Sequence, residues 1–342
     1  MRRSALLFIA PLLLAGCGPS MPARMIDAAS GTPARPLGAP VAASCGLPAN
    51  YDRLDVQMVG QQPVVKIGMD DAIATMVLDT GASETVVTSG MTARFNATAA
   101  QPAAQRVTQG IDGRTVIRRG FVATLHLGTA TLHDVNLNVT PAVLRYAGQS
   151  RDGLLGLDLL GLFDLDLDLA GGRAKLYRGQ VCPDTASPWP VPATELKARR
   201  ATLDPILGAA QLPADRTVQR AAKLEVPVVV NGKIVWALLD TGATNSVVSM
   251  DTAAQVGVSA AALDADRSGV TQGSGGRGVK VYLHQFDTLR IAGESFANAK
   301  MLIGPLPGGT AMLLGADYLR NHRIWLSYAT ARVFVAKGPV GD

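Results

Sequence analysis

VLDTGASETVV, residues Val77 to Val87, returns about 160 residues later as LLDTGATNSVV, Leu238 to Val248. In each, an apolar run with strand character ends in Asp-Thr-Gly, which sets a carboxylate where β structure turns tightly. Gly81 and Gly242 permit the turn and let backbone approach the acid closely. Thr80 and Thr241 each add a hydroxyl able to fix one loop against another. One Asp before Gly is a common turn signal. Two at equivalent positions of a repeat need a different account.

Working outward, the repeat extends to three blocks in the same order. VTQGIDGRTV (Val107 to Val116) matches VTQGSGGRGV (Val270 to Val279), and LLGLDLL (Leu154 to Leu160) matches LLGADYL (Leu313 to Leu319). Both halves are entered alike, by PVVKIG from Pro63 and PVVVNG from Pro227. Strands are expected at Val64–Ile67 and Val228–Val230, with hairpin turns at Gly68 and Asn231-Gly232. Ala74–Leu78 and Ile234–Leu239 follow as strands, and further hairpins turn at Gly128 and Ala292-Gly293. Short helices are expected from Asp158 and Asp317, each acid capping a helix start, and a turn at Ala253–Val256.

If the halves pack about a pseudo-two-fold axis, the two Asp-Thr-Gly loops meet and Asp79 and Asp240 come within hydrogen-bond range. Two such acids cannot both ionise cheaply, so one proton is shared and the titration belongs to the pair. The ionised member takes a proton from water, and the protonated member polarises a substrate carbonyl and later serves the leaving nitrogen. That chemistry calls for no metal, no cofactor and no covalent intermediate.

On these residues the sequence resembles the retropepsin-like aspartic proteases, particularly bacterial members built as tandem repeats. The resemblance covers nearly all of Pro63–Tyr177 and Pro227–Val335, and rests on apolar-Asp-Thr-Gly-Ala and the downstream Leu-Leu-Gly in both halves. It implies an all-β fold of two tandem retropepsin-like, β-barrel-like lobes forming a pepsin-like pseudo-dimer. It also implies a catalytic Asp79 and Asp240, with Thr80, Gly81, Thr241 and Gly242 as support. The Gly-rich hairpins are then flaps over an extended peptide, with Gln109, Gly110, Gly113, Gln272, Gly273 and Gly275 as candidate contacts. The residue after each Gly is Ala82 or Ala243, with no hydroxyl to lower the acid's pKa, so activity at mildly acidic to neutral pH is expected. The implied function is an aspartic endopeptidase. A non-catalytic peptide-binding or scaffolding lipoprotein using the same cleft is the alternative.

The N-terminal MRRSALLFIAPLLLAGC carries positive Arg2 and Arg3, an apolar stretch from Ala5 to Leu14, and small residues before Cys17. It resembles the lipobox of bacterial lipoproteins, which implies lipidation of Cys17 and a periplasm-facing anchor. Gly18 favours the outer membrane by the same likeness. An ordinary signal peptide or uncleaved anchor is the alternative. Cys45 and Cys182 are read as a disulfide closing the first domain, against two independent thiols. The segments expected are 1–16 signal, 17–45 tether, 46–183 first lobe, 184–222 interdomain connection and 223–338 second lobe.

The charge of +5 is modest, and no basic run with interleaved aromatics appears, so no nucleic-acid partner is expected. The partners expected are a protein or peptide substrate and the membrane, for a monomer. FDLDLDL places Asp164, Asp166 and Asp168 on one side of a strand, read as solvent-facing with a cation site as the alternative. His126, His133, His284 and His322 show no metal-ligand spacing and are read as surface or strand residues.

Overall fold

The computed structural model describes residues 51–94, 106–110, 113–141, 143–146, 149–178, 187–201, 222–273 and 277–338. In the first half, β1 (Asp52–Val59), β2 (Gln62–Met69) and β3 (Ala72–Leu78) form a meander, followed by β4 (Val86–Thr88) and a helical turn, α1 (Ser89–Thr92). A long hairpin, β5 (Arg106–Gly110) and β6 (Gly113–Leu127), leads to β7 (Ala130–Thr140) and a short hairpin, β8 (Leu144–Tyr146) with β9 (Gln149–Arg151). Then come β10 (Gly153–Leu155), α2 (Leu157–Leu160), β11 (Asp164–Asp168) and β12 (Arg173–Tyr177).

The second half repeats this order. It begins with β13 (Thr194–Lys197) and β14 (Arg199–Arg200), then the hairpin β15 (Leu224–Val230) and β16 (Lys233–Leu239). After β17 (Val247–Ser249) lie α3 (Met250–Gln255) and α4 (Ala260–Ala265), then β18 (Arg267–Gln272), β19 (Gly278–Ile291) and β20 (Glu294–Gly304). β21 (Met312–Leu314), α5 (Ala316–Leu319), β22 (His322–Ser327) and β23 (Arg332–Lys337) complete it.

Alternation decides which side chains enter the core. In β3, Ala74, Met76 and Leu78 are buried in the main cluster, and Val226, Val228 and Val230 of β15 do the same. Each large apolar chain so buried contributes about 2 kcal/mol. The second-half turn at Asn231-Gly232 has both residues at positive φ (46° and 78°), as a two-residue hairpin requires. The first-half turn lies at Asp70–Asp71 instead of Gly68. Gly68 sits inside β2 opposite Ile73, where a Cβ would press on His126, and Asp70 takes the positive φ of 48°.

The halves share a sheet. β11 pairs antiparallel with β22, Asp166 opposite Trp325, with β12 and β1 on one side and β23 and β13 on the other. β1 pairs with β12 through its first four residues and with β2 through its last four. β13 and β14 divide the same task between β23 and β15. Residues 194–200, read from the sequence as part of the connection, therefore supply the second half's counterpart of β1.

This sheet corrects the reading of FDLDLDL as solvent-facing. Asp164, Asp166 and Asp168 are all buried, because β11 is central in the shared sheet. Arg323 holds Asp166 with Nε and Nη2 at 2.8 and 2.7 Å, and Arg173 Nη2 donates to Asp168 at 2.7 Å. Arg323 in turn lies over the Trp189 ring. The four histidines lie on β6, β7, β19 and β22, and His322 is buried against Glu294 and the Tyr318 carbonyl.

Cys17, Cys45 and Cys182 lie outside the described residues, as do Gly275, the leader and the tether. No disulfide occurs among the described residues, and the expected Cys45–Cys182 staple is withdrawn. The ends of the first half are joined instead by the β1–β12 ladder, Asp52 opposite Leu176.

Candidate active site

Each Asp-Thr-Gly turn is held by three neighbours in its own half. β10 runs parallel to β3 and antiparallel to β4, so Leu155 accepts from the Asp79 amide at 3.0 Å. β21 does the same between β16 and β17, with Leu314 accepting from Asp240 N at 3.0 Å. The Leu-Leu-Gly glycines are required here: a Cβ on Gly156 would meet Glu84 and Thr85 backbone, and one on Gly315 would meet Asn245 backbone.

Asp158 and Asp317 do not cap their helices, a correction to the sequence reading. The N-cap positions are Gly156 and Gly315, and each acid stands inside the first turn. Asp158 accepts from Thr85 N and Oγ1 at 2.8 and 2.6 Å, while Gly156 N donates to Thr85 Oγ1 at 3.0 Å. Asp317 holds Ser246 alike, from N at 2.9 and Oγ at 2.7 Å, and Gly315 N donates to Ser246 Oγ at 3.0 Å. Sequence reasoning missed these pairs. The signal was available, since Thr85 and Ser246 both stand six residues after the repeated Asp.

The two turns interlock. Thr80 N donates to Thr241 Oγ1 and Thr241 N to Thr80 Oγ1, both at 3.0 Å. Thr80 Oγ1 donates to Leu239 O at 2.8 Å and Thr241 Oγ1 to Leu78 O at 2.6 Å. Both threonines are buried. Each glycine lies against the opposite acid: a Cβ on Gly81 would stand 2.5 Å from the Asp240 carboxylate oxygens, and one on Gly242 2.5 Å from Asp79 Oδ2. Buried Gln62 adds an asymmetric link that the sequence did not signal, donating from Nε2 to Gly242 O at 3.2 Å.

The carboxylates are therefore brought together, each partly exposed. Gly81 N and Ala82 N donate to Asp79 Oδ1, both at 2.9 Å, and Ala243 N to Asp240 Oδ1 at 3.0 Å. Burial, then the facing Asp240 charge, lifts Asp79 well above the usual carboxylate range, against the Lys223 ammonium and the Ala82 amide. Burial raises Asp240 too, opposed first by Lys223. Two raised acids facing each other cannot both ionise cheaply, so the pair titrates together and holds one proton in common.

The Gly-rich segments read as flaps belong to long β-hairpins. Gln109 opposes Arg114 and Gly110 opposes Gly113 in β5–β6, and Gln272 opposes Gly278 in β18–β19 with Gly273 just beyond. The two hairpins approach each other at Gly113 and Arg277, where a Cβ on Gly113 would lie 3.4 Å from Arg277 Nη1.

The model of the family described as aspartyl protease matches residues 65–159 and 226–318, together more than half of the chain, with one match in each half. The chain belongs to the aspartyl protease family. This aspartic protease is an enzyme of peptide-bond hydrolysis, with protein or peptide as substrate. No curated protein matches it. Among solved structures it is similar to the aspartic proteinase from Irpex lacteus, with 13% identity and a TM-score of 0.52 over 84% of this chain and 98% of that chain. That likeness, running across both lobes of one chain, corrects the retropepsin-like reading of family and fold. The protease has an all-β, two-lobe, pepsin-like architecture. The physical reason is the shared sheet, which joins the lobes through β11 and β22.

Proposed function

We propose that Asp79 and Asp240 are the catalytic dyad of an endopeptidase that cuts within extended polypeptide segments. The observation carrying this reading is the reciprocal packing of the two turns, in which each glycine faces the other half's acid. The ionised carboxylate takes a proton from water as the water oxygen attacks the peptide carbonyl. The protonated carboxyl donates to that carbonyl oxygen. Collapse of the tetrahedral intermediate breaks the C–N bond, and the proton gained from water passes to the leaving nitrogen. Thr80 and Thr241 fix the geometry, and the backbone amides at Gly81, Ala82 and Ala243 stabilise the ionised form. Gln109, Gly110, Gly113, Gln272, Gly273 and Gly275 close over the substrate backbone.

The same proposal holds the protein as a monomer on the periplasmic face of a bacterial envelope membrane, through a lipid on Cys17. The positive, apolar and small-residue order before Cys17 supports this, and Gly18 supports the outer membrane. Peptidase assay of Asp79→Asn and Asp240→Asn tests the dyad. Labelling with a radioactive fatty acid, lost in Cys17→Ser, tests the anchor. An unlabelled wild type would remove it.

A further inference from the structure

Arg151 is 6% exposed, yet its guanidinium is half used. Nη1 donates to Gln149 Oε1 at 3.1 Å and to Ser150 O at 3.2 Å, while Nε and Nη2 are buried without a partner. Those two N–H groups form the guanidinium edge that grips a carboxylate with two parallel hydrogen bonds. The protein uses that edge elsewhere, in Arg323 on Asp166 and in Arg332 on Glu195. Leaving such donors buried and unpaired costs stability, and no acid among the described residues answers them.

Its location ties this edge to the cleft. Val77 of β3 faces away from the main core, and Asp79, two residues on and just past the strand's end, continues that alternation. Leu154 of β10 stands beside Val77, and Leu144 joins them in a small separate cluster. Leu144 is the direct cross-strand neighbour of Arg151 in the β8–β9 hairpin, so the two side chains share one side of it. The guanidinium thus flanks the apolar patch on the Asp79-bearing face. The equivalent registers Val77–Leu154 and Leu238–Leu313 make Thr310 its second-half counterpart, where no charge stands.

We infer that Arg151 is a specificity-determining residue that receives the side-chain carboxylate of a substrate Asp or Glu. The subsite lies on the first half's side, within about two residues of the scissile bond. This rests on the reading of Asp79 and Asp240 as the dyad.

The test uses peptides blocked at both ends, with Glu, Gln or Leu placed in turn at each of three positions on either side of the cut. Wild type is expected to favour Glu over Gln in kcat/KM, on the order of tenfold to a hundredfold, at one of these positions. In Arg151→Met that ratio should collapse toward one. In wild type it should also collapse below about pH 4, where the substrate acid protonates and the enzyme's own titration cancels in the ratio. That pH arm needs no variant, so a misfolded Arg151→Met leaves the test standing. Equal rates for Glu and Gln throughout would overturn the inference while leaving the dyad intact. So would a preference that survives in folded Arg151→Met, or one met only by the free carboxyl end of unblocked peptides. Failure of folded wild type to cut any peptide would instead remove the dyad reading, and this inference with it.

Discussion

At Gly81 and Gly242 the chain meets its own other half with no room for a methyl group, and the atoms it meets there are the two carboxylates. Gly81→Ala must displace Asp240, so kcat/KM should fall by about a hundredfold or more while circular dichroism keeps its β signature. The acids themselves set the pH behaviour. A carboxyl raised in the folded state stabilises the protein fully below its unfolded pKa, and that contribution is lost as pH rises through the folded value. Burial raises both Asp79 and Asp240, so the wild type should melt at lower temperature at pH 8 than at pH 5. Asp240→Asn should flatten that slope, which calorimetry at the two pH values would read. An unchanged slope would deny the raised pair. The pairing of Asp79 with Asp240 was legible in the sequence because chemistry and turn geometry both restrict the choice. Arg151, Gln62 and Lys223 were not, since nothing in their local sequence marks long-range partners or the lack of them.

Elements carry the acids into place, and the threading of β10 between β3 and β4 is what fixes Asp79. Asp158 ties this threading to Thr85, and burial pushes its carboxyl up to about 6 despite the Thr85 hydroxyl and amide. Thr85→Ala removes a donor to this acid and orphans Gly156 N, for a predicted loss of about 1–3 kcal/mol in urea unfolding. The loss should grow from pH 5 to pH 7, as Asp158 ionises and misses the hydroxyl more. The hairpins at Asn231-Gly232, Gly128 and Ala292-Gly293 could be read from the sequence because positive φ leaves few residues to choose from. The caps could not. A short acid after Leu-Leu-Gly suits a helix start equally well, and its true partner lies about 70 residues away in sequence.

Across the whole molecule, the shared sheet makes one enzyme of two repeats. The repeat was legible in the sequence and its mode of union was not, because pairing of β11 with β22 depends on strands that carry no turn signal. The alternating acids of β11 look solvated until β22 covers them with Arg323. Asp166 and Arg323 are both buried, so Arg323→Met should cost about 3–5 kcal/mol by stranding Asp166. Replacing both partners with apolar residues should recover most of it. Thermal unfolding should be a single transition followed alike by fluorescence and by loss of activity, since the lobes share one sheet as well as the interlocked Asp-Thr-Gly turns.

The measurement that tests the central claim most directly is digestion of a peptide library by the purified protein alongside its Asp79→Asn and Asp240→Asn variants, with products identified by mass spectrometry. One proton-sharing dyad built from both repeats predicts cleavage by the wild type and a loss on the order of a thousandfold in each variant separately. Near-full activity in either folded variant would contradict it, because one half would then be doing the chemistry alone.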